Sequence, residues 1–224
     1  MTMPHHLLVS AVTLIAAVFL TSGLQAAEHA AAVVPPKEAL ARLIDGNQRF
    51  VNEKLEHPHQ TAARRAENAT SQSPFAIIVS CSDSRVGPEV VFDAGIGDLF
   101  VIRTAGQVVT DVELASIEYA ADHLGTTLVV VLGHERCGAV AAAIAGGDAP
   151  GHIGALITAI KPAVEETKDQ PGDRADLAMR AQVMRTVTQL KADSPLLSEP
   201  VKAGKLVVVG ARYDLDTGKV ELLP

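Results

Sequence analysis

The sequence predicts an α/β fold: a single domain with a mostly parallel β-sheet of four strands plus a short antiparallel fifth strand, flanked by helices, with an N-terminal helical extension. Three observations predict it. Short apolar runs rich in β-branched residues recur at Ala76–Ser80, Leu99–Arg103, Leu128–Gly133 and Leu206–Val209, and such runs read as strands buried on both faces. Segments with helical spacing of apolar residues separate most of them, an alternation that gives right-handed crossovers and parallel pairing. Two of the runs also end abruptly in reactive side chains. Ala76–Arg85 (AIIVSCSDSR) delivers Cys81, Asp83 and Arg85, and Leu128–Gly133 delivers His134-Glu135-Arg136-Cys137. The chain has two cysteines in all. Each sits just past a strand end, where open α/β sheets bind ligands.

With 224 residues the chain is long enough for one domain with a sizeable core. Apolar residues make up 48% and charged residues 20%, the balance of a globular chain. A net charge of -7, with no basic cluster interleaved with aromatics, argues against nucleic acid as a partner. Aromatics are 3% and Trp is absent, so Ala, Val, Leu and Ile must build the core.

In chain order, residues 1–26 read as a signal peptide. Leu7–Leu20 is apolar apart from Ser10 and Thr13, and a run of about 14 residues is shorter than the roughly 20 that span a bilayer. No Lys or Arg precedes Lys37, so only the amino terminus, His5 and His6 stand in for a basic n-region. Small residues place cleavage after Ala26 or Ala27. The expectation is a periplasmic protein with no stable membrane association once cleaved; an uncleaved anchor and an unexported chain are the alternatives. Residues 27–36 form a linker in which Pro35-Pro36 forces an extended entry, and residues 37–224 form the domain. Lys37–Val51 carries Leu40, Leu43, Ile44 and Phe50 at helical spacing, with Gly46 as a weak point. This helix must dock on its own domain or on a neighbouring subunit. Asn52–Gln72 reads as a polar loop and short helix, with His57 and His59, like His29 before them, at the surface. Glu89–Leu99 holds a Gly-rich turn that is not GxGxxG and offers no phosphate cradle. Val112–Leu124, Cys137–Ala145, Ile153–Lys168 and Asp173–Lys191 read as helices. Asp214–Gly218 supplies a turn that makes Val220–Leu223 an antiparallel fifth strand.

Two thiolates and an imidazole suit Zn²⁺ in a tetrahedral site. His134-x-x-Cys137 puts two ligands on one turn at a helix start, where the helix dipole also favours a thiolate; Cys81 arrives from another strand. A structural zinc site usually has a second close pair of ligands. Three soft ligands with Asp83 nearby, and an open or carboxylate-occupied fourth place, mark a catalytic zinc instead. Such a zinc lowers the pKa of its water to roughly 7. Asp83, held ionised by Arg85, would orient that water or hydroxide; a plain loop salt bridge is the alternative. In an oxidising compartment two cysteines would by default form a disulfide, but their company of metal-ligating side chains favours zinc, one per chain.

CSDSR ending one strand and HxxC ending another resemble the β-class carbonic anhydrases. The likeness runs from Leu43–Phe50 (LIDGNQRF) to Gly210–Leu223 (GARYDLDTGKVELL). It implies zinc on Cys81, His134 and Cys137, an Asp83–Arg85 dyad, and reversible hydration of CO2 to bicarbonate and a proton by a zinc-bound hydroxide. It also implies a substrate pocket. Gln72 resembles a glutamine that the family often points across a dimer interface, and Phe100 and Tyr119 stand where the family lines an apolar pocket. Gly138 offers a backbone N–H, and Ala105 replaces the valine of some relatives. His123 stands where some members have a candidate proton shuttle. The pattern is similar to the open-site subtype; a closed state in which Asp83 itself binds zinc at low pH stays open. The resemblance further implies a homodimer or homotetramer in which the N-terminal helix, through Leu40, Leu43 and Phe50, reaches across to a partner. The rival readings are a carbonyl sulfide or carbon disulfide hydrolase on the same scaffold, a non-catalytic zinc-binding protein, and a thiol-disulfide protein.

Overall fold

A computed structural model describes residues 33–224. The signal-peptide expectation (1–26), linker residues 27–32, and His5, His6 and His29 lie outside the described residues.

The chain opens with α1 (Pro36–Val51) and α2 (Ala62–Glu67), then β1 (Ala76–Cys81), α3 (Pro88–Val91) and β2 (Leu99–Thr104). A 3-10 turn at Ala105–Gln107 leads to α4 (Asp111–Asp122) and β3 (Leu128–His134). Four helices follow: α5 (Gly138–Ala145), α6 (Ile153–Thr167), α7 (Arg174–Ala192) and α8 (Pro195–Lys202). The chain ends in β4 (Val207–Tyr213) and β5 (Val220–Leu222). Among the described residues no helix is long and apolar enough to cross a membrane.

The strands form one sheet in the order β2-β1-β3-β4-β5. β1 pairs in parallel with β2 and β3, β3 with β4, and β5 closes the edge antiparallel to β4, as the alternating pattern predicts. From β1 the chain goes first to one neighbour, β2, and then to the other, β3. That reversal opens a crevice at the carboxyl ends of β1 and β3.

Strand side chains alternate between two apolar layers. Ile77, Val79, Val129, Val131 and Val208 face the layer holding Ile117 of α4, Val140 of α5, Ile160 of α6 and Val183 of α7. Ala76, Ile78, Leu128, Val130 and Leu132 face Leu43 of α1 and Val91 of α3. Both faces are therefore covered, which is why these strands read as continuous apolar runs.

Four local features depart from the sequence reading. The strands run one residue further than the apolar runs, so Cys81 and His134 are the last strand residues rather than the first loop residues. β4 continues through Gly210-Ala211-Arg212-Tyr213, where polarity and small residues hide the pattern although pairing with β5 and β3 persists. Helix α8 spans only eight residues and contains Pro200; Ser194 caps it by accepting from the Leu196 N–H, and Pro195 starts it. Gly46 is a contact rather than a weak point. A Cβ there would stand 1.9 Å from the Phe92 carbonyl oxygen, so glycine lets α1 lie against the segment after α3. The face of α1 assigned to a partner is also used inside the chain: Leu43 is buried, and Leu40 and Phe50 pack on the same layer.

Candidate metal centre

Cys81 ends β1, His134 ends the adjacent β3, and Cys137 stands immediately before the first turn of α5. The crevice between β1 and β3 thus collects all three, and their Sγ and nitrogen atoms lie within 4.8 Å of one another. All three are buried, His134 completely. The two sulfurs are 4.0 Å apart, and both cysteines are free; a disulfide needs about 2.05 Å. Two thiolates on one tetrahedral zinc, each at about 2.3 Å, stand roughly 3.8 Å apart. The pair is spaced for a shared metal.

The imidazole is oriented for the same purpose. His134 Nδ1 lies 2.8 Å from the Glu135 carbonyl oxygen, an acceptor, so the proton sits on Nδ1 and leaves the Nε2 lone pair free. That Nε2 is buried without a hydrogen-bond partner. An orphaned buried acceptor beside two thiols is costly unless something cationic fills the gap. The residues fit zinc.

The two thiols are pushed in opposite directions by their contact. Hydrogen bonding from Cys137 lowers the Cys81 thiol against the opposing effect of burial, with further help from the backbone N–H groups of Gly106 and Asp83. The same contact and the adjacent negative charge push the Cys137 thiol up. A divalent cation removes the conflict by accepting both as thiolates.

Asp83 stands at the rim. Its carboxylate takes a forked pair of bonds from Arg85, Nε to Oδ1 at 2.9 Å and Nη2 to Oδ2 at 2.7 Å, and the Arg85 backbone N–H adds a third at 2.9 Å. These bonds, chiefly those from the guanidinium, hold Asp83 well below the usual carboxylate range. Its Oδ2 is 3.8 Å from His134 Nε2, so the ionised oxygen faces the ligand cluster. Ala105 adjoins Gly106, whose N–H donates to Cys81 Sγ at 3.3 Å. Gly138 begins α5, exposed, with open space where a side chain would point.

Three other residues expected to line the pocket lie elsewhere in the chain. Phe100 pairs with Ile77 in the sheet, and the four-residue step to Cys81 puts it about 13 Å from the metal end along the strand. Gln72 is exposed and precedes β1 altogether. Tyr119 of α4 packs beside Phe100, ring centroids 6.4 Å apart, and His123 stacks on Tyr119 at 5.1 Å. One chain therefore brings together Cys81, His134, Cys137, Asp83, Arg85, Ala105 and Gly138, and gathers Phe100, Tyr119 and His123 near the opposite end of the sheet.

Arg103 on β2 escaped the sequence reading. Its Nε donates to the Cys81 carbonyl at 2.9 Å and its Nη2 to the Asp83 carbonyl at 2.6 Å, which fixes the loop carrying both side chains. Its one signal is its place at the end of the second apolar run.

Comparison with known proteins follows the same lines. A family model described as carbonic anhydrase matches residues 76–220. Carbonic anhydrase 2 of Mycobacterium tuberculosis is 42% identical over 191 residues, 84% of this chain and 92% of that protein. The carbonic anhydrase of Mycolicibacterium smegmatis is 40% identical over 84% of this chain and 93% of its own length. Among solved structures, the Coccomyxa β-carbonic anhydrase in complex with acetazolamide is similar with a TM-score of 0.66 and 27% identity, covering 82% of this chain and 86% of that one. A tetrameric β-carbonic anhydrase from Sordaria macrospora shares the fold, with a TM-score of 0.67 at 24% identity, over 82% of this chain and 96% of that one.

Proposed function

The chain belongs to the β-class carbonic anhydrase family, and from that premise we propose that it works as an oligomer whose pockets are completed across a subunit boundary. Its reaction is the zinc-dependent, reversible hydration of carbon dioxide to bicarbonate and a proton. The observation that carries the assignment of residues is the convergence of Cys81, His134 and Cys137 with the Arg85-held carboxylate of Asp83 facing them.

Zinc, when bound, supplies a Lewis acid that makes water a nucleophile near neutral pH. The chain's own residues do the rest. Cys81 and Cys137 give two negative ligands and His134 a neutral one, with Nδ1 held by the Glu135 carbonyl oxygen. Asp83, ionised and able only to accept, fixes the orientation of a water O–H beside the ligands. Arg85 keeps that carboxylate from turning away. The Gly138 N–H, in the first turn of α5 where backbone donors have no helical partner, would donate to a substrate oxygen. Burial of Cys81, His134 and Cys137 lowers the dielectric around them, which strengthens their hold on a cation.

An apolar wall for CO2 is missing from this set. Phe100, Tyr119 and Gln72 lie too far down the sheet to serve the metal of their own chain, and they serve a partner's. Support comes from the surface they occupy. β2 is a sheet edge, which leaves backbone donors and acceptors unpaired. Beside it Val112 is 72% and Tyr119 47% exposed, next to half-buried Phe100. An edge strand with an apolar margin suits burial against a second copy. The Sordaria protein is described as tetrameric; a dimer is the smallest assembly that completes a pocket here. His123, stacked on Tyr119, would relay protons for that partner's pocket.

Export to the periplasm is part of the reading and rests on residues 1–26. The apolar stretch Leu7–Leu20 and the small residues up to Ala27 support it. N-terminal sequencing of the secreted protein starting at Ala27 or Glu28 would bear it out.

The test of function is stopped-flow CO2 hydration by zinc-loaded protein, with Cys137→Ala as blank. Hydration that rises with pH and disappears in the blank is expected. Zinc-replete protein no faster than the blank would overturn the substrate and point to carbonyl sulfide.

A further inference from the structure

Glu135 and Arg136, which separate His134 from Cys137, use both of their carbonyl oxygens on functional side chains. The Glu135 carbonyl accepts from His134 Nδ1 at 2.8 Å. The Arg136 carbonyl accepts from Arg85 Nη2 at 3.2 Å, the same nitrogen that holds Asp83 Oδ2. Two adjacent peptides thus aim the imidazole ligand and steady the guanidinium behind Asp83. Arg136 adopts a left-handed backbone, φ 49°, which a non-glycine residue keeps only when its surroundings enforce it.

Those surroundings are the turn between β4 and β5. One Glu135 carboxylate oxygen takes Arg212 Nη2, and the other takes the Leu215 N–H at 3.1 Å. Arg212 is itself held by Asp176 of α7 at 2.7 Å and by Asp214 at 3.3 Å. Its side chain is 12% exposed and that of Glu135 20%, so this pair is shielded from water. Arg136 makes two bonds to Asp216, at 3.0 and 2.8 Å, between side chains that are mostly exposed. Glu135, Asp214 and Asp216 converge closely enough to look like a second cation site. The guanidinium groups of Arg136 and Arg212 already balance them, and the cluster is an anchor.

We propose that Glu135 is a positioning residue of the metal centre: clamped by Arg212 and the Leu215 N–H, it sets the peptides that aim His134 and hold Arg85. The inference rests on the reading of Cys81, His134 and Cys137 as the zinc ligands. Glu135 touches neither metal nor substrate, so its effect travels through His134 and Asp83. Removing it frees the loop to relax from its left-handed turn, which swings the imidazole off its line and loosens the Arg85 fork. Outer partners of this kind typically change metal affinity or activity about 10–100-fold.

The experiment compares zinc-loaded wild type, Glu135→Ala, Glu135→Gln, Asp216→Asn and Cys137→Ala. Zinc transfer to a chromophoric chelator, the visible spectrum of cobalt-substituted protein, and kcat and KM for CO2 are measured on each. Glu135→Ala is expected to give up zinc about 10–100-fold more readily, with shifted cobalt bands and a loss in kcat larger than any change in KM. Glu135→Gln, which keeps one acceptor, falls between it and wild type. Asp216→Asn, which breaks only the exposed pair, stays close to wild type. Folded Glu135→Ala with the zinc affinity and cobalt spectrum of wild type overturns the proposal. If Glu135→Ala does not fold, Glu135→Gln decides by the same readouts, and wild-type values there overturn it equally. Zinc held by Cys137→Ala as tightly as by wild type overturns the ligand reading, and this inference with it.

Discussion

Asp83 sits between the metal ligands and Arg85, and its own chemistry can be separated from theirs. Asp83→Asn keeps size and one acceptor but removes the charge that Arg85 grips through two nitrogens. The three ligands are untouched, so the variant is expected to retain one zinc per chain while CO2 hydration falls about 10–100-fold. Zinc content by atomic absorption, alongside stopped-flow rates, checks both halves. The side chains gathered at the candidate site were legible in the sequence because they are concentrated where apolar runs stop. Cys81, Asp83, Arg85, His134 and Cys137 all follow that rule. Arg103 and Glu135 were not legible as site residues, for a physical reason. Arg103 acts on carbonyls of a neighbouring strand, and Glu135 acts through Arg212, 77 positions away in the chain. Neither contact exists until the strands are in register.

At the level of elements, the strands and long helices were readable from burial on both sheet faces and from the 3.6-residue period. The pieces missed were those with mixed signals, such as the second half of β4 and the proline-interrupted α8. The docking of α1 could not be read, because an apolar stripe does not say what it covers. One ion pair fastens it. Asp93, buried after α3 with φ 43°, would have its pKa raised by burial alone. Arg49 of α1 at 2.6 Å and the N–H groups of Glu56 and His57, both at 3.0 Å, outweigh that and lower it. A folded-state pKa below the unfolded value of about 3.9 stabilises the fold fully above that pH, and the contribution is lost as pH falls from there through the lower folded value. Asp93→Asn tolerates the same backbone angle. It is expected to cost about 1–3 kcal/mol at pH 7 in urea unfolding, and the gap from wild type should narrow at pH 3.

At the scale of the whole molecule, the sheet holds two clusters of proposed site residues apart. The carboxyl ends of β1 and β3 carry the metal ligands, while Phe100, Tyr119 and His123 cluster toward the other end, by the exposed margin of β2 and α4. Val112→Arg places a charge in that margin, at a residue that touches no ligand of its own chain's metal. Sedimentation is expected to show smaller particles, and hydration to fall, with zinc content unchanged; an unaltered assembly would move the interface elsewhere. The sequence named the residues of both clusters but could not tell that they lie toward opposite ends of the strands, since distance within a sheet follows from register and not from spacing. This polarity carries a genetic meaning. On the proposal that pockets are shared between subunits, a chain lacking Cys137 and a chain lacking Tyr119 each keep the half the other has lost. Expressed together in one cell, they would assemble mixed pairs in which one of the two pockets is whole, so that crossing two null strains restores part of the phenotype.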